Sequence, residues 1–326
     1  MLKRTPTQGV NPESVARRFE EWYSTEFRPG YEATVRSIQA PEGSGSGDMI
    51  WLIEIAMDSQ SIEQLILRIE AVRRRPYGLS FDVPFDVQRQ LHLRGAVKVA
   101  RVEHVEVSDE WFGRPFAVTE KLPGRVVPDR PPFTFESWLR DVSPETQEAC
   151  WWNAIEAMAG LHTLDVDGSG LGFMATEGMV VGVESALLWF RELMDATEGN
   201  RFRPKAEALW EKLNEELPNR LGDDVLSWGD ARIGNVIFDE RNQAALIDFE
   251  EVTLTQPEAD LAKWLLFDQT SSAGFGLPRL PGFPSHAATI DRYAELLGRP
   301  IGDLEWWKTF ARFRNEAMRS SLSLRV

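Results

Sequence analysis

The sequence predicts an α+β protein of two lobes, a small antiparallel-sheet lobe over residues 1–121 and a larger helical lobe over residues 122–326. Three observations predict it. A chain of 326 residues is long enough to bury two cores. Its first third reads as an N-terminal helix and then short strands with one further helix, whereas helical spacing dominates the remainder. Between them, at Pro123-Gly124-Arg125, the composition shifts into the Pro-rich connector VVPDRPPF.

The sheet lobe is justified element by element. Asn11-Pro12-Glu13 opens a helix with a capping side chain and Pro in the first turn. Val15, Phe19 and Trp22 follow at helical spacing and give that helix a face to pack on something larger. TVRSI and MIWLIEIAM are strands on either side of the polar segment PEGSGSGD, residues 41–48. Within it, Ser44, Gly45, Ser46 and Gly47 offer a backbone able to approach a phosphate, or simply a mobile connection. Residues 65–70, LILRIE, form a third strand whose Arg68 sits among apolar neighbours. Such a cation either faces outward or meets an anion. A helix over residues 85–93 and two further strands, RVEHVEV and RPFAVTEKL, turned around Asp109, complete the lobe.

In the helical lobe, ETQEACWWNAIEAMAGLH places Ala149, Trp152, Ile155, Ala159 and His162 on one side. His162 at the end of that stripe reads as a core or helix-end residue. Helices follow at ESALLWFRELMDA and KAEALWEKLNEEL, then PEADLAKWLLFD, HAATIDRYAELLG and DLEWWKTFARFRNEAMRSS.

Composition excludes several function classes. Hydrophobic residues make up 43% and charged residues 27%, as in ordinary globular chains. A net charge of -15 argues against nucleic acid or an anionic membrane as partner. The one cysteine, Cys150, lies in an apolar helical stretch and reads as a small core residue. The four histidines show no metal-ligand spacing. Neither an apolar leader nor a membrane-length apolar run is present, so a cytoplasmic location is expected.

Chemistry concentrates in SWGDARIGN, residues 227–235, and LIDFE, residues 246–250. Asp230 and Asn235 precede a short strand, VIF, a polar turn, DERNQ, and a second apolar run, AALIDF, that carries Asp248. A phosphoryl-transfer site needs a carboxylate to take the proton of the attacking hydroxyl. It also needs an amide oxygen and a second carboxylate to hold Mg²⁺. Either half alone is an ordinary acidic turn; together they place both acids on one side of a hairpin.

A sheet lobe with a Gly-rich loop and a cationic strand, followed by D-x-x-x-x-N and I-D-F, resembles the aminoglycoside phosphotransferase/choline-kinase-like superfamily, which has a two-lobed protein-kinase-like fold. The likeness runs roughly from Val35 to Arg314 and is densest over GDARIGNVIFDERNQAALIDFEEVTLTQPEADLA. The resemblance implies Asp230 as catalytic base, Arg232 as a cation near the transferred phosphate, and Asn235 and Asp248 as Mg²⁺ ligands. It further implies Arg68 on the nucleotide phosphates beside the Ser44–Gly47 loop. Thr119-Glu120-Lys121-Leu122 becomes a hinge whose backbone, at Glu120 and Leu122, binds the purine. Asp260 stands at a position that braces the catalytic loop.

The expected activity is Mg²⁺-dependent transfer of the γ-phosphate of ATP or GTP to a small-molecule hydroxyl, an aminoglycoside-like or other antibiotic alcohol among the options. A non-catalytic nucleotide-binding protein on the same scaffold is the alternative. Two departures motivate that alternative. Trp228 replaces the His that usually precedes Gly-Asp, and indole can donate a hydrogen bond but not accept one. Gln90 stands where a helix Glu pairs with the strand cation, and a neutral amide holds Arg68 more weakly.

Overall fold

The computed structural model describes residues 10–41, 48–56, 62–71, 76–176, 178–196, 201–215, 217–219 and 222–322. The Gly/Ser segment with Ser44, Gly45, Ser46 and Gly47 lies outside them. The chain divides into two compact units, one from described residues within 1–73, 80–89 and 100–123, the other from those within 74–79, 90–99 and 124–326.

The first unit is a five-stranded antiparallel sheet. Its strands β1 (Thr34–Gln39), β2 (Met49–Ala56), β3 (Ile62–Ile69), β4 (Val102–Glu106) and β5 (Phe116–Glu120) lie in the order β1-β2-β3-β5-β4. Helix α1 (Pro12–Trp22), capped by Asn11 Oδ1 accepting from the Glu13 N–H, packs on one face. Val15, Phe19 and Trp22 meet Trp51, Ile53, Leu65, Leu67, Phe116 and Val118 in a single buried cluster, so the apolar stripe of α1 found its larger body. Because side chains alternate along a strand, Leu65, Leu67 and Ile69 enter this core and Arg68 points to the opposite face. There Arg68 pairs in register with Ala117, against which Phe81 and Phe85 pack. Phe85 belongs to α2 (Val83–Arg94), along which the chain passes from the first unit to the second.

In the second unit, β6 (Arg125–Val126) leads to the short helix α3 (Trp138–Asp141) and then α4 (Pro144–His162), α5 (Gly182–Asp195) and α6 (Arg203–Glu215). Four short strands follow, β7 (Val225–Ser227), β8 (Val236–Phe238), β9 (Ala244–Leu246) and β10 (Thr253–Thr255), and then α7 (Glu258–Ser271), α8 (His286–Leu297) and α9 (Leu304–Leu322). Helix α9 packs against α5, α6 and α7. Strands β6, β8 and β9 form one antiparallel sheet and β7 with β10 another. Of the stripe expected on α4, Ile155, Ala159 and His162 are buried, but its tryptophan is the neighbouring one. Trp151 is fully buried and donates Nε1–H to Thr289 Oγ1, whereas Trp152 is half-buried and bonds Glu148. Two adjacent tryptophans differ by about 100° around a helix, and core contacts from α7 and α8 select Trp151. Cys150 is a buried free thiol, pushed up to about 11 by burial. No helix among the described residues is long and apolar enough to cross a membrane.

Candidate active site

The loop between β7 and β8 carries Asp230, and its backbone is fastened before any acidic side chain is considered. Gly229 has φ +84°, and a Cβ there would lie 2.0 Å from the Glu251 carbonyl oxygen, so glycine is required. The N–H groups of Trp228 and Gly229 both donate to the Asp260 carboxylate, at 2.6 and 2.9 Å. Asp260 also accepts from Ser227 Oγ at 3.0 Å and faces His162 Nε2 at 2.9 Å. It is wholly buried; burial acts to raise its carboxyl, and the His162 and loop N–H bonds outweigh that and lower it. His162 Nδ1 meets the Tyr293 hydroxyl. Burial keeps that phenol protonated, so Tyr293 is able to donate to His162. The expected brace is therefore Asp260 with His162 and Tyr293 behind it.

Trp228 is buried and donates Nε1–H to the Ile247 carbonyl at 2.9 Å, with its ring beside Phe249. The indole bridges the loop to the segment that holds Asp248 by donating, the one thing it can do. Asp248 itself adopts φ +66°, a left-handed conformation that Asp tolerates better than most residues. Strand β9 ends at Leu246, so Asp248 lies just beyond the hairpin.

Asp230 is held by three side chains. Lys263 Nζ lies 2.6 Å from its Oδ1, while Arg232 Nε at 2.7 Å and Asn235 Nδ2 at 2.9 Å donate to its Oδ2. Burial pushes the carboxyl up, but Lys263 and Arg232 dominate and hold it well below the usual carboxylate range. Arg232 also pairs with Asp129 and lies over the Phe267 ring, 5.6 Å from its centroid. Burial opposes the Arg232 charge, and Asp230, Asp129 and Asp248 together more than restore it. A Cβ at Gly234 would fall 2.3 Å from Asp129 Oδ1, which is why the Arg232–Asp129 pair needs a glycine beside it. Around this group Glu251 accepts from Lys263 at 3.4 Å and from Arg314. Arg314, buried among Tyr77, Phe190 and Phe310, also donates to the Gly229 carbonyl at 3.2 Å.

The structure thus brings Asp230, Arg232 and Asn235 into direct contact and sets the Asp248 charge near Arg232. Arg68, Glu120 and Leu122 belong to the first unit. There Glu120 closes β5 with its N–H on the Arg101 carbonyl, at 3.0 Å, and its carboxylate on the Arg101 N–H, at 2.7 Å. Gln90 belongs to the second unit and lies against Gly170, where a Cβ would come 2.8 Å from its Oε1. Sequence reasoning missed Lys263, Asp129, Glu251 and Arg314 as members of the site. A lysine inside a helix that is buried nearly all round was the available signal, because such a charge must be paired.

Asn235 spends its Nδ2 on Asp230, and its Oδ1 takes no hydrogen bond from another described residue. An amide oxygen and a carboxylate are hard donors suited to Mg²⁺. No cluster of three or more His, Cys, Asp or Glu able to hold a metal occurs among the described residues. Asn235 and Asp248 would therefore form a partial set, of the kind that bound phosphates complete.

Residues 61–296 match the profile of the phosphotransferase enzyme family. A protein from Ralstonia eutropha assigned by name to the aminoglycoside phosphotransferases superposes with a TM-score of 0.69, at 20% identity, covering 95% of this chain and 89% of its own. An aminoglycoside phosphotransferase solved with GDP and kanamycin gives 0.58 at 15% identity, covering 94% and 92%. These two likenesses bear on the fold. In sequence, the Arabidopsis thaliana protein named probable acyl-CoA dehydrogenase IBR3 is 27% identical over 296 residues, 83% of this chain and 34% of that protein. The human acyl-CoA dehydrogenase family member 11 is 27% identical over 162 residues, 48% of this chain and 19% of that protein. The chain spans about a third or less of the length of these two relatives. With the family profile covering most of the chain, the chain belongs to the phosphotransferase enzyme family.

Proposed function

We propose that this protein transfers the γ-phosphoryl group of ATP or GTP to a hydroxyl of a small molecule, with Mg²⁺ as cofactor. The observation that carries the reading is the geometry around Asp230, a carboxylate that meets Lys263, Arg232 and Asn235 in a loop that also presents the Asn235 amide oxygen. Asp230 accepts the proton of the acceptor hydroxyl as its oxygen attacks the γ-phosphorus. Arg232, pinned by Asp230 and Asp129, offers a fixed guanidinium to the transferred phosphoryl oxygens. Asn235 and Asp248 would hold Mg²⁺, which when bound neutralises charge on the nucleotide phosphates. Arg68 is assigned to the nucleotide phosphates and the Glu120–Leu122 backbone to the base as parts of the same proposal. Support for a nucleotide co-substrate comes from neighbours solved with GDP, AMP or ADP.

The test is nucleotide turnover by the full chain against a panel of hydroxyl compounds, with Asp230→Ala alongside. A loss of about 100-fold or more is expected for the variant, the worth of a positioned general base. Full activity in Asp230→Ala, or metal-independent nucleotide binding with no turnover of any compound, would refute the reading.

A further inference from the structure

The lysine that meets Asp230 also lines a cavity. Between α6, α7 and α9 lies a space of about 220 Å³ whose wall includes Lys205, Lys263, Phe267, Arg312, Glu316 and Arg319. Two of these side chains reach the catalytic loop. Lys263 Nζ sits 2.6 Å from Asp230 Oδ1, and the Phe267 ring lies under the Arg232 guanidinium at 5.6 Å. The cavity therefore abuts the base on the side of its Oδ1, away from the Oδ2 that Arg232 and Asn235 occupy.

Its charge runs against that of the chain. In a protein of net charge -15, this wall carries four cations and one carboxylate. Glu316 serves two of them, accepting from Lys205 at 2.5 Å and from Arg319 at 3.3 Å. Arg312 forms neither a hydrogen bond nor an ion pair with a carboxylate among the described residues. The acids nearest the loop are already spent, Glu251 on Lys263 and Arg314, Glu258 on Arg299. A concave wall with surplus positive charge gathers anions, and guanidinium forks match carboxylate and phosphate oxygens. A polycation entering here would meet like charge.

We infer that the acceptor is a small alcohol bearing a carboxylate or phosphate. Its anionic group is held by Arg312 with Lys205 and Arg319, and its hydroxyl is presented to Asp230 on the Lys263 side. The inference rests on the phosphotransferase reading. In the step, the acceptor oxygen forms a bond to the γ-phosphorus while the bond from that phosphorus to the β,γ-bridging oxygen breaks. The hydroxyl proton passes to Asp230, and the nucleoside diphosphate leaves with the electron pair.

Glycerol, glycerate and glycerol 3-phosphate share a hydroxyl framework and differ in charge, so they are the probes, with kanamycin as the cationic comparison. The full chain is assayed with Mg²⁺ and nucleotide, and phosphate-ester products are identified by mass. Glycerate or glycerol 3-phosphate is expected to exceed glycerol in kcat/KM by about tenfold or more, the worth of one charge-assisted hydrogen bond. The better of the two anions tells carboxylate from phosphate. In Arg312→Gln that preference should collapse through KM, a split that a merely structural change would not produce. Glycerol or kanamycin used as well as the anions overturns the inference and leaves the phosphotransferase reading standing. So does Asp230-dependent nucleotide hydrolysis with no turnover of any probe and no rise in the wild-type melting temperature with glycerol 3-phosphate. Nucleotide hydrolysis that ignores Asp230 counts against the phosphotransferase reading itself.

Discussion

Lys263 Nζ lies 2.6 Å from Asp230 Oδ1, and the two side chains are only 8% and 17% exposed. A buried carboxylate left alone would favour its neutral form, so this lysine, with Arg232, favours the charged form of Asp230. The Asp230 pKa is depressed in the folded protein. Its pairing therefore contributes stability above its ordinary unfolded value of about 3.9, and that contribution is lost as pH falls through the folded value. In Lys263→Met the folded value rises, so both the acid limb of the kcat/KM profile and the onset of acid unfolding should move to higher pH. Removing one partner of the buried pair should also lower stability by about 3 kcal/mol in urea titration. An unchanged acid limb would show that Lys263 does not set the ionisation of Asp230.

Asp260 should be the most sensitive carboxylate after Asp230. It accepts two backbone N–H groups and a serine hydroxyl and faces His162, all out of water. Asp260→Asn puts amide hydrogens among donors and is expected to cost about 3 kcal/mol in chemical denaturation, with loss of turnover following the loss of loop order. Tyr293→Phe removes only the donor to His162 and should cost about 1–2 kcal/mol with turnover largely kept.

Gly229→Ala tests the backbone rather than a side chain. The new methyl would lie 2.0 Å from the Glu251 carbonyl oxygen in a region that disfavours any Cβ. About 3 kcal/mol or more of destabilisation is expected by thermal melting. Gly276→Ala, at φ +69° with no neighbour within 4 Å, should cost only about 1 kcal/mol and is the control for positive φ alone.

Trp228→Phe keeps an aromatic ring in the core and deletes one donor. It leaves the Ile247 carbonyl without its 2.9 Å partner, so a loss of about 1–3 kcal/mol is expected. Trp228→His, which restores the residue usual in the superfamily, should not recover full stability, because the imidazole is smaller than the indole it replaces in a fully buried site.

What the sequence disclosed and what it withheld divide by range of interaction. Strand alternation around Leu65, Leu67 and Ile69, the Asn11 cap and the polar turn between β8 and β9 are local, and each was legible. Asp230, Arg232 and Asn235 were legible as a group because they lie within six residues of one another. Lys263, Arg314 and Asp129 reach the same group from 33, 84 and 101 residues away, and no local pattern links them. Glu251 and Glu258 lie close to the catalytic segment along the chain. Their partners Lys263, Arg314 and Arg299 come from later helices or the turn between them, so only the fold shows them engaged.

The indole bond from Trp228 to the Ile247 carbonyl joins the segments that carry Asp230 and Asp248. It closes a short cross-link between two segments, each with a backbone conformation of positive φ close to it. The conformational entropy of aligning the two carboxylates is thus surrendered when the chain folds, not when a ligand arrives. Binding at this site then draws on a geometry already in place. Tightness and folding stability should consequently rise or fall together in variants of this one bond.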